Sequence, residues 1–366
     1  MRTGAGTGPT SRVLIISGSV GAGHDGAAHE LAARLVSAGV EVTVRDFLDA
    51  VPRPVARVLR EGYVMAVERV PLVFEVLFRG LERQGLLWGA EHLVCARAAR
   101  TVAGWVEEFA PDLVVSTYPP ASQTVGTLRA DGRLPVPAYT YLTDPAVHIS
   151  WLHPAVDRHL TVTAASADQG AAAYGMTFEV AGPLVPERFA RRLPAAERTV
   201  LRAELSTGAD RPLALLVGGS LGLGHVRETV ADVVAAGCTA VVLCGRNEAL
   251  RRRLAGPGVV ALGWRDDVDR LMQAADVLVQ NAGGLSFTES LVAGLPAVTY
   301  RPIPGHGRAN AAVLQEAGLA PWARDRQELA RHLHAQSARG RTEHLFDDPA
   351  DLVLGSPAGV PAGVAA

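Results

Sequence analysis

The 366-residue sequence contains no lysine; all 35 of its basic residues are arginine. Against 37 acidic residues they leave a formal net charge of −2, which gives no broad basic footprint for nucleic acid. Cysteine occurs only at Cys95, Cys238 and Cys244, in apolar stretches without metal-ligand spacing. A disulfide framework is thereby excluded, and three reduced, buried thiols are expected. There is no run of 18 apolar residues, so no membrane-crossing helix is expected, and the opening MRTGAGTGPTSR has no apolar core of signal-peptide length. These absences point to a cytoplasmic protein. Aromatic residues are scarce, at 5%, which singles out the few that stand beside glycine turns.

What the chain has in quantity is glycine, 38 residues, much of it placed between an apolar run and a helical pattern. At this length about two domains of roughly 150 to 180 residues are expected, each able to bury a core. Val13 to Ser17 reads as a strand, Gly18 to His24 as a glycine-rich loop, Gly26 to Ala38 as a helix, and Glu41 to Val44 as a second strand ending near Asp46. This is the βαβ opening of a parallel, doubly wound sheet. Gly21, Gly23 and Gly26 also spell GxGxxG, with Asp46 where a dinucleotide site places its acid. An NAD-dependent oxidoreductase is therefore one reading. His24 argues against it, because an imidazole crowds the approach of backbone to a pyrophosphate, whereas it suits a general base near neutral pH.

Residues 52–90 alternate large apolar groups with arginine, and Pro71 divides them into two helical pieces. The pattern alone favours helices packed on a core. Next come two strands, Pro111 to Ser116 and Ala138 to Leu142. They end in Thr117-Tyr118-Pro119-Pro120 and Thr143-Asp144, at the sheet edge where open α/β sheets bind ligands. His148, Trp151, His153 and Asp157 follow, with Trp151 and Asp157 read as a core aromatic and a helix cap.

Val180 to Pro186 is a Gly/Pro connector, and the same grammar restarts beyond it. Leu213 to Val217 is a strand, Gly218 to Gly224 a glycine-rich loop whose N–H groups and Ser220 suit a diphosphate, and Val226 to Ala236 a helix. Thr239 to Cys244 and Val259 to Leu262 are further strands, the latter running into Gly263-Trp264-Arg265. Then comes NAGGLSFTESLVAGLPAVTYRPIPGHGRAN, Asn281 to Asn310. A glycine turn at Gly283-Gly284 opens a helix carrying Glu289, a strand follows, and a polar loop bears His306, Arg308 and Asn310. A helix N-terminus offers N–H groups and partial positive charge to phosphate, and a carboxylate one turn in can accept from ribose hydroxyls. Arg326 to Ala338 reads as a last helix, and residues 1–11 and 346–366 as disordered.

That stretch resembles the donor half of the GT-B glycosyltransferases of the family 28 type, whose helix Glu and Pro-Gly-x-x-x-x-Asn loop bind a UDP-sugar. GAGHDGAA resembles their N-terminal glycine-rich loop, and TDPAVHISWLHPAVD is similar to the Thr-Asp-x-x-x-His-x-x-Trp-x-x-Pro-x-x-Asp pattern of the diacylglycerol glycosyltransferases. The resemblance implies an α/β GT-B fold, with two Rossmann-like doubly wound domains facing a central cleft. An acceptor domain over 12–185 and a donor domain over 186–345 would make it up. It implies catalytic roles for His24 and Asp144, and acceptor binding by Gly23, Tyr118, His148 and Trp151. Donor binding would fall to Gly219, Ser220, Trp264, Arg265, Gly283, Gly284, Glu289, His306, Arg308 and Asn310. His306-Gly307 stands where members often carry Gln-Glu, which leaves the sugar open. The implied activity is inverting hexosyl transfer from a UDP-sugar, as substrate, to a lipid or small-molecule hydroxyl, without cofactor or metal. It also turns residues 53–83 toward an anionic membrane surface on the cytoplasmic leaflet. A UDP-N-acetylglucosamine 2-epimerase on the same fold and a catalytically idle binding partner remain alternatives beside the oxidoreductase.

Overall fold

A computed structural model describes residues 11–69, 75–76, 80, 86–206, 211–217, 224–344 and 346–355; the side chains of 63–69, 86 and 87 are not described. Two six-stranded sheets organise the chain, all their pairings parallel. The first contains β1 (Arg12–Ser17), β2 (Glu41–Asp46), β3 (Leu113–Ser116), β4 (Ala138–Tyr141), β5 (Arg158–Thr161) and β6 (Glu179–Val180), in the order β2-β1-β3-β4-β5-β6. The second contains β7 (Leu213–Val217), β8 (Thr239–Leu243), β9 (Val259–Leu262), β10 (Val277–Gln280), β11 (Ala297–Tyr300) and β12 (Trp322–Ala323), in the order β12-β11-β10-β7-β8-β9. Strands covered by helices on both faces read as unbroken apolar runs, and Val13 to Ile16 are accordingly at 0% exposure. Both sheets reverse direction beside their first strand, so each opens a crevice at its carboxyl edge.

The chain changes core between Leu184, which packs with β1 and the helix Ala22–Ser37, and Val185, which packs with the second sheet. The connector is held from the first domain, where Tyr141 Oη donates to the Gly182 carbonyl at 2.8 Å and accepts from the Leu184 amide at 3.0 Å. The chain crosses back near its end, a step the sequence did not reveal. Asp348 caps the helix Pro349–Val353, whose Ala350, Leu352 and Val353 are buried against Leu31, Leu35 and Ala181 of the first domain. The expectation of disorder from 346 onward is therefore corrected for residues 346–355. The short helix was hidden because three buried residues are too few to show a period. Gly182 lies where the two crossings meet; its φ is +82° and a Cβ there would stand 2.8 Å from the Asp347 carbonyl oxygen.

Two boundaries move functional residues. The first helix starts at Ala22, not Gly26, because Gly21 takes an extended N-cap conformation and nothing after it breaks the helix. His24 therefore sits in the first helical turn. The expected polar loop after β11 is in its second half a helix, His306–Glu316, started by Gly305 at φ +68°. The helix Arg53–Arg69 packs Val55, Ala56 and Leu59 on the first core and exposes Arg53, Arg57 and Val58. Most of the second Arg-rich piece, including Arg79 and Arg83, lies outside the described residues.

Candidate active site in the interdomain cleft

A cavity of about 590 Å³ lies between the carboxyl edges of the two sheets, within the range of small-molecule sites. Four helices begin at its wall: Ala22–Ser37, Pro119–Ala130, Leu285–Val292 and His306–Glu316. None has a side-chain cap on its first amides. Three of these termini present unused N–H groups, Pro119 and Pro120 having none to offer on the fourth, and each carries about half a positive charge, so the cleft attracts anions without a lysine.

The first wall is built around His24. Its Nδ1 lies 2.8 Å from the Thr117 carbonyl oxygen and 3.2 Å from Thr143 Oγ1. A carbonyl only accepts, so Nδ1 carries the proton and the lone pair of the neutral ring is on Nε2. The imidazole stands edge-on to Tyr118, with centroids 5.2 Å apart, and is tilted against Trp151 at 5.7 Å. Burial among these groups holds its pKa below 6.5, opposed in part by the Asp144 charge and the Thr117 carbonyl. The ring is thus neutral at pH 7, as a base must be, and Asp144 is placed to stabilise the imidazolium. Trp151 is 1% exposed and fills a small core with Leu142, Val147 and Leu152 while touching the cleft. Tyr118 packs on Phe47 and His24, and His148 accepts from the Ser150 amide at 3.2 Å, both at the cavity wall. Gly23 also lines it.

The second wall carries the donor candidates. Gly284 caps the helix Leu285–Val292, and a Cβ there would meet nothing within 4 Å, so the approach to its amides is open. Gly283 is fixed as glycine twice over, by a φ of +76° and by the Asn310 Cβ 2.7 Å from where its own would stand. Gln280, a residue the sequence reading missed, holds this turn by accepting from the Gly283 amide while donating to Thr299 Oγ1. Glu289 faces the cavity one turn along; burial pushes its carboxyl up to about 8, with Arg188 lowering and Asp269 raising it. Trp264 is 53% exposed at the far end, its indole N–H donated to Asp266, beside Arg265, which is paired with Asp267. Gly219 and Ser220 lie outside the described residues.

The three residues expected on one loop separate, because a helix turns about 100° per residue. His306 lines the cavity, its pKa lowered by burial, raised by Asp144 and lowered again by His24. Arg308 does not reach the cavity wall; its guanidinium is 3.6 Å from Glu75. Asn310 is fully buried and joins the domains: Oδ1 accepts from the Ala146 amide at 2.9 Å, while Nδ2 donates to Asp144 at 3.2 Å and to the Ala282 carbonyl at 2.8 Å. It acts on the site by positioning Asp144.

The dinucleotide reading meets a physical obstacle here. A Cβ on Gly26 would stand 3.1 Å from Leu285 of the facing domain, and one on Gly23 3.9 Å from the same residue. Gly26 thus makes room for a leucine of the facing domain. Asp46 accepts from the amides of Ser19 and Leu48, which occupies it as a turn cap. Among the described residues no group of three or more His, Cys, Asp or Glu is arranged to hold a metal ion.

Comparison with known proteins agrees with this geometry. Residues 24–179 match the monogalactosyldiacylglycerol (MGDG) synthase family, and residues 213–350 the glycosyltransferase family 28 C-terminal domain. The chain is 22% identical to the processive diacylglycerol beta-glucosyltransferase of Bacillus subtilis, over 91% of this chain and 88% of that protein. Its fold is similar to that of MurG from Acinetobacter baumannii, with a TM-score of 0.53, 18% identity, and coverage of 91% of this chain and 96% of that one. Anabaena HepE, solved in complex with UDP, gives a TM-score of 0.52 at 14% identity, over 88% of this chain and 89% of its own. The two family matches fall one on each sheet, in the order the cleft requires, and the chain is a GT-B glycosyltransferase of the family 28 type.

Proposed function

We propose that the protein transfers a hexose, with inversion, from a UDP-sugar to the hydroxyl of a diacylglycerol-type lipid. The observation that carries this is the pairing of a neutral, Nδ1-anchored His24 with an uncapped helix N-terminus at Gly284 across one cavity. The uracil rests at Trp264 and Arg265, the ribose hydroxyls donate to Glu289, and the diphosphate lies on the amides following Gly284. Nε2 of His24 removes the proton of the acceptor hydroxyl. The acceptor oxygen forms its bond to the anomeric carbon from the face opposite the diphosphate, and the bond from that carbon to the phosphate oxygen breaks. Helix termini on both walls stabilise the charge that develops on the departing UDP, and Asp144 stabilises the imidazolium. Fixed backbone amides supply this stabilisation without a metal or an added cofactor.

The lipid acceptor rests on the diacylglycerol relative and on the first domain's surface. No helix among the described residues is long and apolar enough to cross a membrane. Val58, Val76 and Leu93 are exposed at 68%, 69% and 58%, in or near a region that also exposes Arg53 and Arg57. Exposed aliphatics among arginines suit shallow docking on an anionic leaflet at the cytoplasmic face. Calorimetric titration with UDP and, separately, NAD tests the donor assignment. UDP heat that weakens in Glu289→Ala, with none from NAD, supports it; NAD heat with silence from UDP refutes it.

A further inference from the structure

One carboxyl in the cleft has no part in this mechanism. Glu91 stands on the long helix Leu86–Phe109 and faces the cavity at the end lined by Leu59, Tyr118, Pro119 and Pro120. Its helix is held in place one turn on, where Cys95 Sγ donates to the Pro120 carbonyl and Thr124 Oγ1 donates to the Cys95 carbonyl, each at 3.4 Å. Ser150 Oγ donates to Glu91 Oε2 at 3.3 Å, and Ser150 is itself fixed through its amide to His148. Among the described residues this is the carboxyl's hydrogen bond, and the residue lines the cleft. A carboxyl so placed is costly unless a ligand supplies donors.

We propose that Glu91 binds a second hydroxyl of the acceptor, and so favours acceptors that already carry a sugar over a plain diacylglycerol. This rests on the transferase reading above. The geometry separates two acceptor contacts. Glu91 and His24 both line the cavity, and among the described residues no hydrogen bond or ring contact joins them. Glu91 is joined to the catalytic ring through Ser150, Trp151 and Tyr118 rather than by contact. A diacylglycerol has one free hydroxyl, which His24 must hold to react. A hexosyl-diacylglycerol offers further ring hydroxyls that reach past Tyr118 while one of them sits at His24. Burial pushes the Glu91 carboxyl up to about 7, so near neutral pH it meets a hydroxyl either as acceptor or as donor.

The test uses the full chain, a UDP-hexose, and two acceptors in mixed micelles, dioctanoylglycerol and its monohexosyl derivative. Wild type is compared with Glu91→Gln, which keeps the shape, and Glu91→Ala, which removes the group. The expected result is that kcat/KM for the monohexosyl acceptor falls about tenfold more than for dioctanoylglycerol in Glu91→Ala, chiefly through KM. Glu91→Gln recovers part of the loss, and UDP affinity stays at the wild-type value. Equal losses on both acceptors, or no loss on either, overturn the assignment, and so does a loss confined to kcat. Absence of transfer by wild type to both acceptors overturns the transferase reading together with it.

Discussion

Glu289 ties donor binding to a proton. Burial raises its carboxyl to about 8, so about a tenth of the free protein carries the ionised form at pH 7 and about nine tenths at pH 9. Ribose hydroxyls that donate to a carboxylate favour the ionised form and lower its pKa on binding. The sign follows: UDP affinity rises with pH through 8, and binding below that pH releases close to one proton. Between pH 7 and pH 9 the gain is about tenfold, or about 1.4 kcal/mol. His24 and His306 are both held below 6.5 and stay neutral across the window, and the terminal phosphate of UDP ionises near 6, below it. Glu289→Gln accepts from the ribose at any pH and gives a flat profile. Calorimetry in two buffers of different ionisation enthalpy counts the protons directly. An affinity that is level from pH 7 to pH 9 in wild type, or one that still rises in Glu289→Gln, refutes the placement of ribose at this residue.

Other outcomes follow from the same geometry. His24→Ala lowers kcat by about 10² to 10⁴ and leaves UDP affinity unchanged, because the ring acts on the acceptor proton; a matching loss of UDP binding in calorimetry would place it on the donor instead. The acid limb of the kcat profile lies below pH 6.5, and Asp144→Asn moves it lower still, since the Asp144 charge raises the His24 pKa. An acid limb above 6.5 would contradict the burial argument. Truncation after Glu343 removes Ala350, Leu352 and Val353 from the first core and lowers the melting temperature of that domain, by a loss of about 1.5 to 3 kcal/mol for each large aliphatic side chain. Asp232, which is 4% exposed, accepts from Tyr300 Oη and Arg301 and pairs with the exposed Arg326 at 2.6 Å, so Asp232→Ala costs about 1 to 3 kcal/mol in denaturant unfolding.

Much of this was legible before any coordinates. The strands of both sheets announce themselves because parallel strands buried on two faces read as runs of Val, Leu and Ile; Val259 to Leu262 and Ala297 to Tyr300 are read to the residue. The glycine turns mark the helix termini at the cleft, and His24, Gly284 and Glu289 beside them line its cavity. What escaped depends on contacts between distant segments. The helix His306–Glu316 brings Arg308 beside Glu75 of the other domain. The amide of Asn310 bridges Asp144, Ala146 and Ala282. Glu91 and Gln280 lie in unremarkable helix and strand patterns, and only the approach of Ser150 and of the Gly283 turn gives them a role. The GxGxxG string misleads in the opposite way. Its last glycine, Gly26, packs closely against Leu285 of the other domain, a contact that no local pattern contains.

The central claim is that one cavity holds a UDP-sugar on its second wall and a lipid hydroxyl beside His24 on its first. Its most direct test is to incubate the purified protein with a UDP-hexose and diacylglycerol in anionic vesicles, and to follow glycolipid and UDP together by mass spectrometry. Equal amounts of hexosyl-diacylglycerol and UDP, lost in His24→Ala, are the predicted result. UDP-sugar altered in the absence of any acceptor, or left intact in its presence, would contradict it.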